Sequence, residues 1–224
     1  MQELSLIQKL VTWAVPVLFA ITVHEVAHGW VALRFGDSTA KMAGRLTLNP
    51  LKHVDLVGTV LVPGLLLLLG GFLFGWAKPV PVNFSALNNP KRDMIFVALA
   101  GPGANLVMAF FWGLVGLIAQ YLPGYAALPL LFMSVAGLYI NAILMLLNLI
   151  PVPPLDGGRV AVGLLPISLA RPYSKLEPYG LFIILGLLAT GMLGKILILP
   201  LITFLLFMAS LFSIDVFELY KYIT

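Results

Sequence analysis

Cysteine is absent from the 224 residues. The chain therefore forms no disulfide and offers no thiolate, so a transition-metal site must be built from histidine and carboxylate. Charge is almost as scarce. Charged residues make up 10% of the chain, where an ordinary soluble domain carries about 25%. That is too little to cover a water-facing surface. With 61% hydrophobic residues and a mean hydropathy of +1.04, most of the exterior must meet lipid. The net charge of +4 is small, and reads as a bias of cytoplasmic loops rather than a nucleic-acid surface. The start, Met1-Gln2-Glu3, has no basic n-region, so the first apolar stretch is not expected to be a removable signal.

What remains is a series of long apolar runs. A spanning helix needs about 20 such residues. The candidates are Leu4–Phe35, Met94–Tyr121, Leu128–Ile150, the shorter Leu176–Thr190, and Ile196–Ile214. A further run, Val54–Trp76, is broken at Pro63-Gly64 and at Gly70-Gly71. The expected fold is an all-α multi-pass membrane protein of five to six membrane segments. It forms one domain over 1–224, with a core at about 4–165 and accessory C-terminal helices at about 176–215.

Three linkers are basic: 36–53 with Lys41, Arg45 and Lys52, 77–92 with Lys78, Lys91 and Arg92, and 155–175 with Arg159, Arg171 and Lys175. The positive-inside rule puts them in the cytoplasm and the uncharged turn 122–127 outside. Segment 54–76 would then enter and leave on one side, as a re-entrant hairpin; a straight span is the rival reading. Residues 77–83, interrupted by Pro79 and Pro81, are expected to be extended.

Of three histidines, two lie in His24-Glu25-Val26-Ala27-His28. With so few His and Glu, a chance His-Glu-x-x-His arises on the order of once in a thousand such chains. On a helix, residues four apart share a face and can chelate one ion. Glu25, one position round, can reach a zinc-bound water and act as general base. Buried polar residues between packed helices are the bland alternative, but ionisable groups inside a membrane are expensive and mark function. A hydrolytic zinc site needs a third protein ligand and an open fourth position. Asp156 is the best candidate: it follows Pro151, Pro153 and Pro154, which end the preceding span, and precedes Gly157-Gly158, which allow a close turn. Asp37 and Asp55 suit loops or caps, Asp93 a helix N-cap, and His53 an interfacial loop. Glu177 and Glu218 lack a comparable setting.

Together with Gly101-Pro102-Gly103-Ala104-Asn105, Asn148-x-x-Pro151-x-Pro153-x-Leu155-Asp156-Gly157 and Gly75-Trp76-Ala77-Lys78-Pro79-Val80-Pro81-Val82-Asn83, the chain resembles the site-2 protease family of intramembrane zinc proteases, in its compact branch without PDZ or CBS modules. The resemblance covers about residues 15 to 165. It implies one zinc ion on His24, His28 and Asp156, with Glu25 as catalytic base. It also implies that Asn105 and Asn148 line the site and hold substrate backbone or oxyanion, although either suits interhelical hydrogen bonding equally well. Related proteases can pair a segment such as 79–83 with substrate as an edge strand. The expected activity is hydrolysis of peptide bonds in or near transmembrane segments of other proteins, from a site towards the cytoplasmic side. A metal transporter and a silent helix-binding scaffold are the competing classes. The expected partners are a transmembrane protein or peptide substrate and the lipid bilayer, with no nucleic acid.

Overall fold

The structure is a computed structural model that describes residues 4–61 and 78–224. Four helices among them are long and apolar enough to cross a membrane: α1 (Leu6–Arg34), α3 (Pro90–Ala119), α4 (Gly124–Asn148) and α8 (Met192–Phe212). Shorter helices join them: α2 (Thr39–Met42), α5 (Asp156–Leu164), α6 (Ile167–Ser174), α7 (Gly180–Ala189) and α9 (Val216–Ile223). No strand occurs among the described residues. The chain is an all-α, integral membrane protein.

The starts of α1 and α3 follow from local chemistry. Ser5 caps α1 through a capping box with Gln8. Pro90 stands at the first position of α3, where its missing N–H costs nothing. Asn89 is the N-cap residue there, and Asp93, expected as the cap, lies in the first turn and accepts from the Asn89 N–H at 2.7 Å. At the other end of the core, α4 stops at Asn148, ahead of Pro151, as the proline run requires.

α1, α3 and α4 pack on one another as the core, and α8 and α9 cover the far side of α3 and α4. Small residues permit these contacts. A Cβ on Gly113 would collide with the Phe212 ring, and one on Gly137 with Trp112. Outward, α1 shows Leu6, Ile7, Leu10 and Phe19, and α8 shows Leu199 and Phe207, all exposed. Such faces suit hydrocarbon and not water.

One expected segment differs in the structure, and another is described only in part. Leu176–Thr190 resolves into a 3-10 turn at Glu177–Tyr179 and the ten-residue α7, too short to span. Of Val54–Trp76, the described part carries a π-helical turn at Leu56–Leu61; residues 62–76, and with them the choice between hairpin and span, lie outside the described residues. Residues 78–83 carry neither helix nor strand and run as a strap across one end of the core.

Candidate metal centre

His24 and His28 project from one face of α1, about ten and six residues from its C-terminal end, which buries them roughly 9–15 Å along the helix. Asp156 opens α5. Its first turn lies directly on the backbone it follows: a Cβ on Gly157 would stand 2.5 Å from the Ile150 carbonyl oxygen, and one on Gly158 would collide with Pro153. The glycine pair brings the Asp156 carboxylate down onto α1.

The three side chains meet. His24 Nε2 and His28 Nε2 are 3.0 Å apart, and Asp156 Oδ2 is 3.3 Å from each. Around a tetrahedral zinc with arms of about 2.0–2.1 Å, ligand atoms are separated by about 3.3 Å. The donor set therefore fits one zinc ion. The proton pattern agrees. His28 Nδ1 is 2.7 Å from the Val97 carbonyl oxygen, which can only accept, so that nitrogen carries the hydrogen and Nε2 is a bare lone pair. His24 Nδ1 is 2.6 Å from Asn105 Oδ1 in the same way. Buried Asp156 Oδ2 has no hydrogen-bond donor. Two lone pairs and a carboxylate oxygen at this spacing call for a cation.

Glu25 lines the same cavity, of about 310 Å³, with His24, His28, Asp156, Asn148, Arg159 and the strap residues Pro79, Val80 and Val82. Its Oε2 accepts the Val80 N–H at 2.7 Å. The strap is held at further points. Arg45 Nη2 donates to the Lys78 carbonyl at 2.8 Å, Asp37 Oδ2 accepts from the Asn83 N–H at 2.7 Å, and the Arg159 guanidinium lies 4.6 Å from the centre of the Phe84 ring. Burial alone would raise the Asp37 carboxyl, but donors from Thr39 and Asn83 bring it below its ordinary value.

The two asparagines of the motifs part company. Asn148 stands on the cavity wall, its Nδ2 donating to the Leu144 carbonyl at 3.0 Å. Asn105 is fully buried behind His24. His53, expected at an interface, is 2% exposed and donates from Nε2 to the Thr47 carbonyl at 2.9 Å. Glu177 pairs with Arg159 and Glu218 with Lys221, and neither joins the histidines. Three contributors were missed from sequence: Val80, whose part is a backbone N–H, Arg159, and Asn141, which bonds Asn105. Asn141 lies seven residues before Asn148 on the same helix, the only signal that could have pointed to it.

This geometry brings together two histidines and an aspartate that could hold one metal ion, with a further carboxylate lining the same cavity. The family model for Peptidase family M50 matches residues 12–129 and 125–191, and the chain belongs to that family, the site-2 proteases, whose cofactor is zinc. "Putative zinc metalloprotease YwhC" of Bacillus subtilis is 38% identical over 205 residues, covering 89% of this chain and 88% of that protein. "Putative zinc metalloprotease Rip2" of Mycolicibacterium smegmatis is 33% identical over 181 residues, covering 80% of this chain and 66% of the relative's length. Its Mycobacterium tuberculosis counterpart is 33% identical over 140 residues, 62% of this chain and 52% of that protein. No solved structure matches the chain.

Proposed function

We propose that this protein is an endopeptidase that hydrolyses peptide bonds in or near the transmembrane segments of other membrane proteins. The observation that carries the reading is the meeting of His24, His28 and Asp156 beside Glu25 in one cavity between membrane-spanning helices. Zinc held by those three side chains would supply a Lewis acid for the scissile carbonyl and make water a better nucleophile at neutral pH. Glu25, steadied through Oε2 by Val80, takes the proton of the attacking water and returns it to the leaving amine. Asn148 faces the cavity with one amide hydrogen beyond the one given to Leu144, and we assign it as donor to the tetrahedral oxyanion.

A transmembrane helix must unwind before it is cut, and the strap 78–83, neither helix nor strand, lines the cavity where such a segment could pair with it. The basic linkers all join the site-bearing ends of α1, α3 and α4, which supports a site opening towards the cytoplasm. In this reading residues 1–224 act as one unit, with 4–165 as its working core and the C-terminal helices as support.

The test is zinc analysis and cleavage of a model transmembrane peptide by purified protein. Glu25→Gln should keep one zinc per chain and lose activity by about 10²–10⁴-fold, the range for a general base. Asp156→Ala should lose both. Undiminished cleavage by Glu25→Gln would rule out the mechanism, and zinc uptake into vesicles that survives Glu25→Ala would mark a transporter.

A further inference from the structure

Behind the metal centre, three helices share a closed line of amide hydrogen bonds that ends on His24. His24 Nδ1 lies 2.6 Å from Asn105 Oδ1. Asn105 Nδ2 lies 2.9 Å from Asn141 Oδ1 and 3.3 Å from the Ala20 carbonyl oxygen. Asn141 Nδ2 lies 2.9 Å from the Gly137 carbonyl oxygen. Both asparagines are fully buried, at 0% exposure.

The direction of every bond in this line follows from its two ends. A backbone carbonyl can only accept. The Gly137 carbonyl therefore requires the NH₂ of Asn141 on its side, which turns the Asn141 oxygen towards Asn105. The Ala20 carbonyl and that oxygen both require the NH₂ of Asn105, which turns the Asn105 oxygen towards His24. His24 is left with one arrangement, hydrogen on Nδ1 and a bare lone pair on Nε2, the atom that faces His28 and Asp156. A flip of either amide would break at least one carbonyl bond at a fully buried position, where an unpaired polar group is costly.

His28 reaches the same state through a fixed main-chain acceptor, the Val97 carbonyl. His24 alone depends on side chains, one from α3 and one from α4.

We infer that Asn105 and Asn141 are positioning residues of the metal centre: together they hold the His24 imidazole in the Nδ1–H tautomer that leaves Nε2 free for the ion. Asn141 gains a role although it belongs to none of the recognisable motifs, and Asn105 acts on the ligand from behind instead of on the substrate. The inference rests on the zinc-protease reading for the identity of the ion, but it is tested without catalysis.

The experiment uses the full chain in detergent or nanodiscs. In zinc-loaded wild type labelled with ¹⁵N-histidine, and assigned against His28→Gln and His53→Gln, the His24 resonances should report a protonated Nδ1 and an Nε2 without hydrogen. Asn141→Leu leaves the Asn105 amide without its orienting acceptor. It should lower zinc affinity, read by chelator competition, by about ten- to a hundredfold, the usual loss when an outer partner of a metal ligand is removed. Asn141→Asp, which when neutral can accept from Asn105 and donate to Gly137, should recover most of that loss. Ser134→Ala, equally buried on α4 but with an unpartnered hydroxyl, should bind zinc as wild type does.

The inference is overturned if Asn141→Leu binds zinc as tightly as wild type, or if His24 carries its proton on Nε2. The second result needs no variant of the relay, so it decides the matter even if Asn141→Leu does not fold. Loss of peptide cleavage with the zinc results intact would refute the protease reading and leave the relay standing. Intact cleavage with wild-type zinc binding in Asn141→Leu would do the reverse.

Discussion

Gly101 shows how much one missing methyl can matter at this site. A Cβ there would lie 2.5 Å from His24 Nε2 and closer still to His28 Nε2, the ligand atoms themselves. Neither ring can swing aside, because each is tied at Nδ1. Gly101→Ala should therefore abolish stoichiometric zinc binding and cut cleavage at least about a hundredfold, as expected when reacting groups are pushed about 1 Å out of place. Gly103, two residues on, has nothing within 4 Å of its Cβ position. Gly103→Ala should keep zinc and activity, and stabilise α3 by up to about 1 kcal/mol. Metal content of the two variants side by side checks both. From sequence these glycines were equivalent, since either suits close packing. That His24, His28 and Asp156 would meet was legible because zinc chemistry restricts residue type and spacing. Which glycine lies under them depends on the rotation of α3 against α1, which no local pattern records.

The strap is the element where sequence reading reached furthest and stopped. Pro79 and Pro81 made the lack of helix here predictable. Its anchors were not, because Glu25, Asp37 and Arg45 lie 33 to 55 residues away along the chain. Asp37 makes the attachment pH-sensitive. Its carboxyl is lowered on folding, so its contribution is complete above the ordinary carboxylate value and disappears as pH falls through the lowered one. Hydrogen-exchange protection of the Asn83 amide should thus hold steady from pH 7 down to about 5 and collapse below about 4. Asp37→Asn should show the weakened state already at pH 7, losing about 1.5–3 kcal/mol of local stability. Equal protection in the two proteins at neutral pH would contradict this.

On the scale of the whole molecule, the proposed ligands of one ion come from both ends of the core, with His24 and His28 on α1 and Asp156 on α5 beyond α4. Zinc should therefore act as a clasp on the bundle. Wild type at free zinc a thousandfold above its dissociation constant should gain about 4 kcal/mol over the chelated form. The resulting rise in thermal midpoint should persist in Glu25→Gln and vanish in Asp156→Ala. The spans of the core were plain from hydropathy because lipid demands long apolar runs. The C-terminal region was harder. Leu176–Thr190 is a marginal span, short and holding Glu177 and Pro178, and hydropathy does not register that its helix is only ten residues long and meets α8 through a left-handed Gly191.

In the proposed reading, the bond between Val80 and Glu25 would tie substrate reception to chemistry. The strap that would greet an unwound segment also holds one oxygen of the proposed base. A guest that shifts this backbone changes the carboxylate at the same moment, so recognition and proton transfer form a single thermodynamic event. Discrimination among substrates would then be felt in turnover more than in occupancy: a segment that docks without adjusting the strap would stay bound and uncut.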